Sequence, residues 1–232
     1  MTGSAAFLVD YRDSLAARLP LAFALIGLAT LVLLFLMTGS VVVPVKAVVM
    51  NVLSLGASFG ALVWVFQEGH LSGLLGFDPP GMVDISIPVL IFIFAFGLSM
   101  DYEVFLISRI KEAWDETGDN DRAVALGLQR TGRIVTSAAL LIVVVFLGFA
   151  LSDLLTIKEI GLGMAIAVIV DATVVRTLLV PATMKLMGRW NWWAPAPLRR
   201  LHDRYGLAEH LPPPAPAGEP AVPDREVRAP VG

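Results

Sequence analysis

Long apolar runs separated by short polar stretches organise this chain. Five of them, Leu19–Thr38, Val42–Phe66, Ile85–Ser108, Arg133–Ser152 and Ile157–Met184, meet the requirement for crossing a bilayer. That requirement is roughly 20 mainly apolar residues, at ~1.5 Å rise each, to cover ~30 Å of hydrocarbon. The valines and isoleucines filling these runs favour strands in water, but a segment in lipid must satisfy its own backbone hydrogen bonds. The pattern therefore predicts helices. The first run begins only after Asp10, Arg12, Asp13 and Arg18, and no small-residue cleavage site follows it. It does not read as a secretory signal.

Composition narrows the class. Of 232 residues, 56% are hydrophobic and only 16% charged, with a mean hydropathy of +0.76. Soluble domains lie nearer 45–50% apolar and about 25% charged. The expectation is an all-α integral membrane protein, a bundle of about five transmembrane helices. The absence of cysteine excludes disulfides, iron–sulfur clusters and thiolate zinc sites. A formal net charge of −3 argues against nucleic acid as a partner. No lysine follows a glycine, so the core of a Walker A phosphate loop is absent. Any energetic work is expected to draw on something other than ATP, and no organic cofactor is called for.

Basic residues suggest an orientation. Lys185, Arg189, Arg199, Arg200 and Arg204 follow the last run; Arg109, Lys111, Arg122, Arg130 and Arg133 lie between the third and fourth. The stretches on the other side, Gln67–Asp84 and Leu154–Thr156 with its flanks, show only Lys158. The positive-inside rule then places the C-terminus in the cytoplasm and the N-terminus outside. Trp190, Trp192 and Trp193 read as an aromatic anchor at the inner interface. Between the runs, Asp78-Pro79-Pro80-Gly81 signals a turn. Asp121–Arg130 suggests a short interfacial helix capped by Asp119 or Asn120. The proline-rich stretch from Pro212 reads as a disordered tail. The expected organisation is a lead-in over 1–18, a membrane bundle over 19–184, an interfacial segment over 185–211 and a tail over 212–232.

The chemistry resides in polar residues at membrane depth. An Asp or Arg at the centre of a spanning helix costs ~2.5–3.5 kcal/mol, so those that persist mark function or internal pairing. Asp101 lies roughly 24 Å along the third run, followed by Tyr102 and Glu103. One reading makes Asp101 a proton carrier with the Tyr102 hydroxyl as relay, since poorly solvated surroundings disfavour a carboxylate. The other makes it a static partner for Arg176 or another internal donor. Glu103 points roughly 200° from Asp101 on an α-helix, toward a headgroup or a second partner. Asp171 and Arg176 are five residues apart, about 140° around an α-helix, and are expected to seek partners on neighbouring helices. Asn51, Ser54 and Ser58 form a polar face beside Gly56-x-x-x-Gly60 that suits helix packing. Thr136-Ser137 reads in the same way, and Lys46 is placed to snorkel. His70, His202 and His210 lie outside the runs without ligand spacing, so no metal site is expected.

Two aspartates on two membrane helices raise the possibility of an intramembrane aspartyl protease. Those enzymes carry Tyr-Asp and Gly-x-Gly-Asp. Here the order is Asp101-Tyr102, and Met164 follows Gly161-Leu162-Gly163. The protease reading fails, and no enzyme activity is expected.

The run Gly97-Leu98-Ser99-Met100-Asp101-Tyr102-Glu103-Val104-Phe105-Leu106-Ile107-Ser108-Arg109 resembles the tenth membrane helix of the MMPL (mycobacterial membrane protein large) transporters, in the resistance–nodulation–division superfamily. Val170-Asp171-Ala172-Thr173-Val174-Val175-Arg176 is similar to that family's final helix. Phe35–Ser40, Pro44-Val45-Lys46 and Asn51–Gly56 are similar to its eighth and ninth. The resemblance implies a proton-driven exporter of lipids or other hydrophobic molecules in the inner membrane of actinobacteria. It assigns the proton relay to Asp101 and Tyr102. The residues themselves suggest Asp171, Arg176 and Glu103 as supporting intramembrane charges.

Members of that family carry two repeats of six helices, each with a large extracytoplasmic domain. The chain therefore resembles a C-terminal portion, with Met1–Arg18 similar to the end of the second porter domain. The expected partners are the bilayer, a hydrophobic cargo and the other half of the transporter, with self-association left open. The alternatives are a non-transporting membrane scaffold, a truncated relic, or a half-transporter subunit such as a protein-translocation accessory.

Overall fold

The computed structural model describes residues 4–78, 81–82 and 84–206; the expected proline-rich tail lies outside them, as do Pro79 and Pro80. Among the described residues there are helices and no strands. We label the helices α1 (Ser4–Thr38), α2 (Val42–Gln67), α3 (Ser86–Thr117), α4 (Asn120–Ala150), α5 (Leu155–Trp192) and α6 (Ala196–Tyr205). All but α6 are long and apolar enough to cross a membrane. A single turn, Ser72–Leu75, interrupts the connection between α2 and α3.

Several helices run beyond the apolar stretches. α1 is already helical at Ser4 and continues through Pro20, which removes one N–H donor without ending the helix. α3 continues to Thr117 before Gly118 turns it with a positive φ of 62°. α4 then starts at once: the Asp119 side chain accepts from the N–H groups of Asp121 and Arg122, satisfying donors that the first turn leaves unpaired. Asp121–Arg130 is thus the first part of a spanning helix and not a separate element.

α5 is the hub, packing against α2, α3 and α4, while α1 leans on the α2–α3 face from outside. Two apolar layers fill the interior. Leu55, Leu62, Phe66, Ile91 and Met164 belong to one; Val43, Leu106, Ile107, Ile110, Val180 and Met184 belong to the other. Between them lie buried polar residues from three helices, Asn51 and Ser54 of α2, Ser99 and Glu103 of α3, and Asp171 and Arg176 of α5.

α4 packs closely on α5 at Gly161. A Cβ at Gly161 would sit 2.6 Å from the Ala150 amide nitrogen and 2.7 Å from the Phe146 carbonyl oxygen. Both are backbone atoms of α4 and cannot rotate aside. Gly161→Ala is therefore expected to destabilise the bundle by about 1–3 kcal/mol despite alanine's better helix propensity. Gly148→Ala, with open space around its Cβ, should be neutral or stabilising by up to ~1 kcal/mol. Thermal unfolding of the two variants in detergent checks the contrast.

At one end of the bundle the chain is tied. Ser40 lies between α1 and α2, and its Oγ accepts from the Val42 N–H at 3.1 Å while facing the carbonyls of Asn191 and Trp193. Asn191, fully buried, donates to the carbonyls of Met184 and Gly188. Asn120, at the start of α4, donates to the Met184 carbonyl and accepts from the Trp192 indole. The Trp192 ring stacks on Trp114 at 5.3 Å. Of the three tryptophans read as an anchor, Trp190 and Trp193 are exposed and Trp192 is a packing element.

Candidate functional site

The buried polar layer is built from three helices. α2 supplies Asn51 and Ser54, α3 supplies Ser99, Tyr102 and Glu103, and α5 supplies Asp171 and Arg176. Every one except Tyr102 is buried. All but Glu103 line a cavity of about 10 Å³, on the scale of one water molecule.

Asp171 and Arg176 pair with each other, contrary to the expectation from α-helical geometry. The Arg176 Nη2 donates to Asp171 Oδ2 at 2.5 Å and to the Ser99 backbone carbonyl at 3.1 Å. The reason is local: Asp171–Leu179 is a π-helix. Its i→i+5 repeat brings residues five apart onto one face, where an α-helix would splay them. Thr177 follows the same repeat, donating its hydroxyl to the Ala172 carbonyl. The Arg176 guanidinium also lies over the Tyr102 ring, 5.0 Å from its centroid. Arg176 Nη1 is buried without a hydrogen-bond partner.

Asp101 is not the static partner of Arg176. It is exposed, at the end of an uncovered stripe of α3 formed by Leu90, Ile93, Phe94 and Gly97. Glu103 takes the interior position instead, at 5% exposure, with Asn51 Nδ2 at 3.4 Å from its Oε2 and no partner at Oε1. It does not face a headgroup. Lys46 does not snorkel either: it is buried with its Nζ unpartnered, turned inward on the same face of α2 as Met50 and Asn51.

Asn51 and Ser99 connect the charges. The Ser99 Oγ lies 2.6 Å from Asn51 Oδ1 and 2.7 Å from Asp171 Oδ1. Ser58 donates back to the Ser54 carbonyl within α2. The small-residue pair beside that face is not a packing seam here, because Gly56 and Gly60 have nothing within 4 Å of their Cβ positions. Thr136 and Ser137 also face outward. His70 stacks on Trp64 and His202 rests against Gly39; His210 lies outside the described residues. No cluster suited to a metal occurs among the described residues.

A bundle of five spanning helices with an internal, partly paired charge layer defines a multi-pass membrane protein. The MMPL family profile matches residues 1–208, and the chain belongs to that family. It is 54% identical over 217 residues to a putative membrane protein of Streptomyces coelicolor, covering 94% of this chain and 31% of that one. It is 45% identical over 228 residues to the trehalose monomycolate exporter MmpL3 of Mycobacterium tuberculosis, covering 95% and 24%. It is 42% identical over 210 residues to the mycolic acid-containing lipids exporter MmpL11 of Mycolicibacterium smegmatis, covering 90% and 22%. The chain thus spans between about a fifth and a third of the length of these relatives. Two of these relatives are named as exporters of lipids, one of trehalose monomycolate and one of mycolic acid-containing lipids.

Proposed function

We propose that this chain forms the C-terminal translocation bundle of a proton-coupled exporter of lipids or other hydrophobic molecules. It lies in a bacterial plasma membrane, with the N-terminus outside and the C-terminus in the cytoplasm. The cargo crosses without chemical change. The observation that carries this reading is the position of Asp101. A carboxyl at the end of an apolar helix stripe, with no internal partner, is costly against lipid. It is well placed if a second helical body covers the stripe. The relatives are three to five times longer than their match to this chain, and their remaining length, on the same or another polypeptide, supplies that body. Asp101 then carries the proton at the interface of the two halves with Tyr102 beside it, while Asp171 and Arg176 hold the bundle together.

The test is depletion of the protein in its host. Cell-envelope lipids should build up inside the plasma membrane and fall at the surface. In undepleted cells an uncoupler should produce the same shift while ATP is held constant. Unchanged lipid distribution on depletion overturns transport, and insensitivity to the uncoupler overturns proton coupling.

A further inference from the structure

Ser99 has one hydroxyl proton and faces two acceptors, Asn51 Oδ1 at 2.6 Å and Asp171 Oδ1 at 2.7 Å. One contact therefore needs a proton from elsewhere. The chain continues through Asn51 to Glu103 Oε2 at 3.4 Å. Because an amide's oxygen and nitrogen interchange on turning over, two arrangements satisfy every contact. In one, Asn51 Nδ2 donates to the Glu103 carboxylate, Ser99 donates to Asn51 Oδ1, and a protonated Asp171 donates to Ser99. In the other, a protonated Glu103 donates to Asn51 Oδ1, Asn51 Nδ2 donates to Ser99, and Ser99 donates to the Asp171 carboxylate. Each arrangement holds one carboxyl proton.

We propose that Glu103 and Asp171 share a single proton through Asn51 and Ser99. In the exchange an O–H bond breaks at Glu103 and one forms at Asp171. Between them the proton passes in steps: Glu103 protonates Asn51 Oδ1, an Asn51 Nδ2 proton goes to Ser99, and the Ser99 hydroxyl proton goes to Asp171. Asn51 regains its amide form as it turns over, so Ser99 and Asn51 hold as many protons as before and nothing is oxidised or reduced. The charges on either side favour the proton on Glu103 at rest. Asp171 keeps its negative charge beside Arg176, whereas Glu103 forms no ion pair among the described residues and has one oxygen without a donor. An uncompensated buried carboxylate is the costlier of the two. The charged groups acting on Glu103 are Lys46 from α2 and Arg176 and Asp171 from α5. α4 lines the adjoining cavity with Val135 and Ala139. This is a proton station separate from Asp101 and Tyr102. It deepens the proton-coupled reading and rests on it only for its use in transport, because its occupancy is measured without any cargo.

The experiment is infrared spectroscopy of the protein in lipid nanodiscs, with isotope-labelled carboxyl carbons in glutamate or in aspartate. Around neutral pH a protonated-carboxyl band is expected that shifts with the glutamate label. It should disappear in Glu103→Gln, whose amide N–H closes the chain of donors without a carboxyl proton. It should disappear equally in Asp171→Asn for the same reason, and persist in Asp101→Asn. Absence of the band in the unsubstituted protein, or its loss in only one of the two variants, overturns the sharing. If either variant fails to assemble, Ser99→Ala decides. Ser99 does not touch Glu103, so a shift of the glutamate-labelled band supports the connected chain and an unchanged band overturns it.

Discussion

Asp101→Asn, introduced into cells that hold the complete transporter, is expected to abolish export while leaving the abundance of the protein unchanged. The two halves of that expectation have separate physical grounds. Asparagine matches aspartate in shape, and Asp101 is exposed on the outer face of α3, with no side-chain hydrogen bond or ion pair to another of the described residues. Nothing in the apolar layers depends on its charge. An amide, however, does not exchange a proton in the accessible pH range, so a relay that runs through this position stops. Lipid distribution and immunoblot of membranes, read together, check both halves. Export sustained at a normal level excludes Asp101 as the proton carrier. A fall in abundance matching the fall in export assigns it a folding role instead.

Arg176→Met is the second large effect, and it acts on stability. The substitution leaves Asp171 buried with only the Ser99 hydroxyl beside it. Removing one partner of a buried ion pair costs about 3–5 kcal/mol, because the remaining charge is uncompensated. The Ser99 carbonyl also loses its second donor, and the Tyr102 ring loses the cation over its face. The double variant Asp171→Leu with Arg176→Met removes both charges and should recover most of that loss. Denaturant unfolding in mixed micelles of the single and double variants measures the difference. If the single variant loses less than about 1 kcal/mol, the pair is not holding the layer together.

The sequence revealed different parts of this structure with different clarity. Helix number and approximate position follow from run length, because lipid leaves the backbone no alternative to intrahelical pairing. Which way each charge points does not follow, because facing is set by the neighbouring helices. Asp101 and Glu103 differ by two residues, and the packing of α3 alone decides that Glu103 turns inward. Lys46 misleads for a related reason: its position near a helix end permits snorkelling, yet its face of α2 is the buried one. The Asp171–Arg176 pairing was hidden by the assumption of a uniform 3.6-residue period. One signal was available, since two opposite charges five residues apart on one membrane helix have each other as the nearest partners, and a π-helix is the local change that joins them.

The tie at Ser40 bears on how the protein is made. Its hydrogen-bond partner Asn191 lies 151 residues further along the chain. During synthesis α1 through α4 enter the membrane while that partner is still in the ribosome, so the α1–α2 corner must wait. Contacts so distant in sequence form late, after the entropy of closing a long loop has been overcome. The newborn helices therefore pass through a period as a loose set, open to lipid and to assembly factors. The emergence of Gly188–Trp192 is the event that locks the first helix hairpin to the last.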